Sequence, residues 1–320
     1  MDRTKIFRDD DDMHLFEKRM GKNFIETGTK CYAWSLMPNH IHLVLSTGED
    51  PIRHALQCIF TGYAMGYNRK YGRTGHVFEH RYQSILCEKE TYLLELVRYV
   101  HLNPVKAEIV GSVEELSGYR WTGHMAMMGK AVKPWQDTES ILGMFGSREG
   151  PARNSYLKFV RGGLKSTFVE QELMGKGMKR LSEGGWEGDH RKPSESDSYA
   201  DERIVGSREF VNRVLKEAGE RERWRSKMAG KWTPEKVIER AAKVAGIKVV
   251  ELKGSGKRPA QCKARLLACK WLVLDLGISE TLVAGLLGIT QPAVSKAVIR
   301  GKAAEGTRGI HLEGLSGLSK

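Results

Sequence analysis

An α+β domain followed by an all-α domain is the fold class that this 320-residue sequence predicts, and three observations predict it. Residues 10–103 alternate between apolar periods of 3.6 and 2, as helices packed on a sheet do. Residues 182–203, SEGGWEGDHRKPSESDSYADER, lack an apolar period and are punctuated by Gly, Pro and Ser, as a linker or long loop is. Residues 233–301 then read as four successive helices. At 36.0 kDa the chain is too long for one ordinary core. The expected divisions are 1–130, a helical extension and linker over 131–230, a helical domain over 231–305, and a tail over 306–320.

Residues 10–28 suggest a helix with the acidic run Asp9 to Asp12 at its start. Negative charge there opposes the helix dipole favourably; four adjacent carboxylates also admit a metal, the rarer case. Residues 30–36 (KCYAWSL) form a strand, MPN turns the chain, and 40–47 (HIHLVLST) form a second strand. Residues 52–71 suggest a helix, 76–88 (HVFEHRYQSILCE) a strand, and 91–103 (TYLLELVRYVHLN) a helix that Pro104 ends. Beyond the linker, Phe210, Val211, Val214 and Leu215 lie on one stripe of a charged amphipathic helix, and a weak break, MAGKWTP, lies near 228–234.

Thr233 and Pro234 open the next helix as N-cap and first-turn proline, running to about Ala245. Residues 259–276 form another, Ser279 caps ETLVAGLLG, and QPAVSKAVIRG ends at Gly301. Ala284, Gly288, Val294 and Ala297 fall at the offsets a helix-turn-helix needs: a small residue for close approach, Gly for the turn, and apolar residues under the second helix. An unrelated helical hairpin is the alternative.

No run of about 18 apolar residues is present, so no membrane partner is expected. MDRTKIFRDDDD has no apolar stretch of the secretory type. Five cysteines, scattered and without CxxC spacing, fit a reducing compartment, and a cytoplasmic protein is expected. The net charge of +13 is uneven: +1 over residues 1–130, +3 over 131–230 and +9 over 231–320. A polyanion-binding surface is therefore expected in the last ninety residues.

His40 and His42 stand at i and i+2, so both imidazoles leave one face of a strand. That spacing suits two ligands on one divalent metal; alone, it also describes two ordinary histidines, the commoner case. On the 91–103 helix, Leu93, Leu96, Val97 and Val100 form the core stripe, with Tyr92, Tyr99 and Asn103 on its flank. Tyr99 and Asn103, at i and i+4, are neighbours on one face. A tyrosine with an amide beside it, facing a two-histidine metal site, has the parts for phosphodiester cleavage through a phosphotyrosine. On spacing alone a half-buried packing tyrosine is the preferred reading.

The motifs MPNHIHL, GHVFEHRY and YVHLNPVKA, in this order and spacing, resemble those of the HUH-type single-tyrosine transposases, nearest the REP-associated tyrosine transposases of bacterial chromosomes. The resemblance covers about residues 6–160. It implies a ferredoxin-like antiparallel sheet, with His40 and His42 as the metal-binding pair, Tyr99 as nucleophile and Asn103 as a further ligand. It also implies Arg81 and Tyr82 near the DNA, Mg²⁺ or Mn²⁺ as cofactor, and single-stranded hairpin DNA as substrate. A homodimer is compatible with it. Members usually open with a strand of the form YHVTxRGN; this chain begins at MDRTKIFRDDDD. The expectation is therefore a sheet without its first strand, from a start farther upstream or from a truncated copy.

Residues 233–300, including EKVIERAAKVAGIKVVELKGSGKR, resemble the DNA-binding domain of the bacterial replication initiator. That resemblance implies duplex DNA as partner, with Gln291, Ser295 and Lys296 facing a major groove and Lys257, Arg258 and Arg265 on phosphates. The function expected is metal-dependent cleavage and transfer of single-stranded DNA. The rival is a degenerate transposase that binds DNA without cutting it. A hydrolase of small phosphates is disfavoured, because no GxxxxGK[ST] loop is present to cradle a nucleotide.

Overall fold

The computed structural model describes residues 5–48, 50–79, 81–165, 204–253, 256–303, 310 and 312. The chain divides into two compact units, Met1–Asn212 and Arg213–Lys320. The class is α+β, with mostly helices and two small sheets. Among the described residues no single helix is long and apolar enough to cross a membrane. The 182–203 linker lies outside the described residues.

The first unit is built on a hairpin. Helix α1 (Asp10–Thr27) leads through Gly28, whose φ of 64° closes the helix, into β1 (Lys30–Met37) and the antiparallel β2 (His40–Ser46). The acidic run acts as a helix start: the Asp9 carboxylate caps the Asp12 N–H at 3.0 Å. Lys70 of α2 (Ile52–Tyr71) then bonds Asp9 at 2.7 Å and Asp12 at 3.0 Å, holding the Asp9 carboxyl below its ordinary value. The β1–β2 pairing runs from Lys30↔Ser46 to Met37↔His40, with an irregularity between Cys31 and Ala33. Around that bulge Cys31, Trp34 and Leu36 join a core with α1 and α2, while Tyr32 and Ala33 join a second core across the sheet. The far edge of β1 carries single bridges to Thr122 and Gln136.

The second core is helical. It contains Leu93, Val97, Val100 and Leu102 of α3 (Lys89–Lys106) and the short helices α4 (Val113–Leu116), α5 (His124–Met127) and α6 (Thr138–Gly143). Ala152, Tyr156 and Val160 of α7 (Glu149–Gly162) complete it. Residues 131–165 are thus part of the first unit, and the expected boundary at 130 cuts through a core.

Two expectations are corrected here. Residues 76–88 are not one strand: only β3 (Leu86–Cys87) pairs, in parallel with β4 (Ile204–Val205), while Val77 and Phe78 turn into the α1–α2 core. Pro104 does not end α3, which runs to Lys106. In a last turn proline forfeits one N–H, and the Ala107 N–H still reaches the Asn103 carbonyl at 2.9 Å.

In the second unit, α8 (Arg208–Lys231), which begins in the first, buries Met228 in an all-helical core. α9 (Pro234–Val244) starts on a Thr233 cap, α10 (Val249–Lys253) is short, and α11 (Pro259–Lys270) passes into a π-helical turn, Trp271–Asp275, over buried Trp271. α12 (Glu280–Leu287) is capped by Ser279 and closed by Gly288 at φ 66°, and α13 (Gln291–Ala303) leaves it at 101°. That angle lies within the range of about 90–120° between the helices of a helix-turn-helix. Met228 moves the boundary expected at 230/231 back to 212/213. Of the expected tail, Leu312 is buried in this core, and all but residues 310 and 312 lie outside the described residues.

Candidate active site

β2 projects His40, His42 and Val44 towards the layer that holds α3, and Ile41, Leu43 and Leu45 towards α1 and α2. The alternation puts two imidazoles beside the tyrosine helix. The His40 and His42 rings lie 4.8 Å apart at 89°, and the Tyr99 ring meets His42 edge-on at 5.8 Å and 84°. His40, His42 and Tyr99, separated by more than fifty positions in sequence, are therefore brought together.

The His40 Nδ1–H donates to Asn39 Oδ1 at 2.7 Å, a tautomer assigned from the bond. Burial, and after it the neighbouring His40, pushes His42 down to about 4. Its imidazole is neutral near pH 7, the form that binds metal. Asn103 lies one turn after Tyr99 and donates its amide to the Tyr99 carbonyl at 2.9 Å; Oδ1 is the atom it can offer a cation. The Lys106 ammonium lies 5.4 Å from the Tyr99 ring centroid. Among the described residues, no group of three or more His, Cys, Asp or Glu side chains is arranged to hold a metal ion. Sequence reading missed Asn39 and Lys106, although both lie inside the quoted motifs.

Arg81 and Tyr82 are exposed, in irregular chain. The Tyr82 ring, 41% exposed, stacks parallel on Phe60 of α2 at 6.4 Å and 9°, in the layer across the sheet from α3.

In the second unit the expected groove-facing residues separate. Lys296 is exposed on α13, as are Pro292, Ala293 and Arg300. Ser295 is only 8% exposed, bonded to Glu280 of α12, and Gln291 donates to the same carboxylate at 2.6 Å. These two fasten α13 to α12, a correction to the groove-facing reading. Lys257 and Arg258 are exposed. Arg265 instead donates to the carbonyls of Leu252 at 2.9 Å and Gly256 at 2.6 Å, so its guanidinium is taken up in closing the α10–α11 loop.

Compared with protein-family profiles, with curated proteins and with solved structures, the chain matches none.

Proposed function

We propose that the chain is an HUH-type tyrosine transposase of ferredoxin-like fold, cleaving and rejoining single-stranded DNA at hairpins on bacterial chromosomal DNA in the cytoplasm. The observation that carries this reading is the edge-on meeting of His42 and Tyr99 at 5.8 Å, which joins the two halves of the resemblance in one place. The donor set fits a divalent cation: His40 Nε2, a neutral His42 and Asn103 Oδ1. Bound there, Mn²⁺ or Mg²⁺ would polarise the scissile phosphate, and two imidazoles favour Mn²⁺.

Tyr99 Oη forms a bond to phosphorus as the bond from phosphorus to the 3′ oxygen breaks. The phenolic proton leaves to solvent and the departing oxygen takes one up, giving a 3′-hydroxyl and a 5′-phosphotyrosine. Attack by the 3′-hydroxyl of a second strand reverses the step and transfers the DNA. Lys106, whose ammonium lies 5.4 Å from the Tyr99 ring centroid, adds positive charge beside the nucleophile. The second unit would hold duplex DNA on the α13 face with Lys296, and phosphates with Lys257 and Arg258.

A second reading, a transposase relative that binds DNA without cutting it, is favoured by the two-stranded β1–β2 sheet, where, among the described residues, the far edge of β1 carries single bridges in place of a further strand. The test is an incubation with hairpin-bearing single-stranded DNA and Mn²⁺. An SDS-resistant adduct is expected from the wild type and none from Tyr99→Phe or in EDTA. An adduct that persists in EDTA would overturn the metal site. DNA binding without an adduct would establish the second reading.

A further inference from the structure

α3 carries, two residues after Tyr99 and so roughly 200° round the helix, a fully buried histidine, His101. Its Nδ1 lies 2.7 Å from the Tyr156 hydroxyl of α7, and His124 Nδ1 of α5 lies 3.0 Å from the same oxygen. Tyr156 and His124 are also fully buried. The Ser117 hydroxyl lies 3.5 Å from the Val113 carbonyl and 3.3 Å from His124 Nε2. A hydroxyl has one proton, so Tyr156 donates to one of the two imidazole Nδ1 atoms and accepts from the other.

The other ring nitrogen, His101 Nε2, is buried with no hydrogen-bond partner. It abuts Gly123, where a side-chain carbon would sit 2.7 Å from it. A buried polar group is costly, whereas a leucine at 101 would pack without one. What the polar arrangement adds is direction: apolar contacts tolerate a helix turning about its axis, and a hydroxyl that is donor to one ring and acceptor from another does not.

We propose that Tyr156 is a positioning residue for Tyr99: by joining His101 of α3 to His124 of α5 it fixes the rotation of α3 and seats the Tyr99 ring against His42. The activity arm of its test rests on Tyr99 being the nucleophile; the spectroscopic arm does not. In the full-length chain, the His42 ring protons feel the Tyr99 ring current, and Tyr99→Leu marks where they resonate without it. Folded Tyr156→Phe and His101→Leu should move the His42 signals at least half-way to that position. His101→Asn, which keeps a donor beside the Tyr156 oxygen, should restore them. Unmoved His42 signals in folded Tyr156→Phe would overturn the proposal. If Tyr156→Phe does not fold, equal His42 signals in His101→Asn and His101→Leu would overturn it instead. Where the wild type forms the adduct, Tyr156→Phe should slow its formation about 10- to 100-fold with single-strand affinity unchanged, and a wild-type rate would count against the proposal. A wild type that forms no adduct sinks the nucleophile reading and leaves the spectroscopic arm to decide.

Discussion

His40 owes its orientation to a neighbour. Asn39 Oδ1 accepts the hydrogen bond of His40 Nδ1–H, and ligand-orienting partners of this kind are worth about 10- to 100-fold in metal affinity or activity. Asn39→Ala should weaken Mn²⁺ binding by that factor in a direct titration, with secondary structure intact; unchanged affinity would remove Asn39 from the site. His124 makes a separate prediction about acid. Burial, and after it Lys130, holds its folded value at about 4 against an ordinary 6.5. The unfolded chain therefore takes up a proton below pH 6.5 that the folded chain refuses. Stability is full above 6.5 and falls by about 3 kcal/mol as pH drops to about 4. His124→Gln should flatten its share of that slope in urea titrations at pH 7 and pH 5, and equal slopes would contradict it. That His40 and His42 share a strand face, and Tyr99 and Asn103 a helix face, was legible in the sequence because strand and helix periods set it, while the choice of Tyr99 came from the resemblance. Tyr156 and His124 were not, since bonds spanning 55 and 32 positions leave no local pattern.

At the scale of elements, caps and turns were the legible part. Thr233, Ser279 and Gly288 mark helix ends where the sequence expects them, because each acts on its own few neighbours. The strand expected over 76–88 failed because pairing needs a partner, and the partner of Leu86 is Ile204. On α13 the periodicity located the helix and left its rotation open. Glu280, eleven and fifteen positions before Gln291 and Ser295, decides it by drawing both inward. Lys296→Ala and Arg300→Ala should each reduce duplex affinity and make the slope of log K against log salt shallower by about 0.9. Ser295→Ala should instead lower the stability of the second unit by about 1–3 kcal/mol, from the polar groups it leaves unpaired, with the salt slope unchanged. A shallower slope for Ser295→Ala would put that side chain back on the DNA.

For the whole molecule, the division at Asn212/Arg213 sharpens the charge asymmetry. The second unit holds 22 basic and 10 acidic side chains, net +12, and the first 30 and 29, net +1. A fragment of residues 213–320 should bind duplex DNA with an affinity that rises steeply as salt falls, roughly as the salt concentration to the power −4 or −5 for five phosphates. A fragment of residues 231–320 lacks Met228, 1% exposed in the core, and should be less stable by about 2–5 kcal/mol. Equal melting of the two fragments would detach α8 from that core. In the first unit, β4 returns to β3, and the Glu88 carboxylate at the start of α3 accepts from the Ser207 N–H at 2.8 Å, 119 positions away. On the ribosome that distance is time. At roughly 5–20 residues per second, the delay between making Glu88 and making Ser207 is on the order of ten seconds. A nascent chain therefore holds both strands of the histidine hairpin well before it holds the residue that bonds the start of the tyrosine helix.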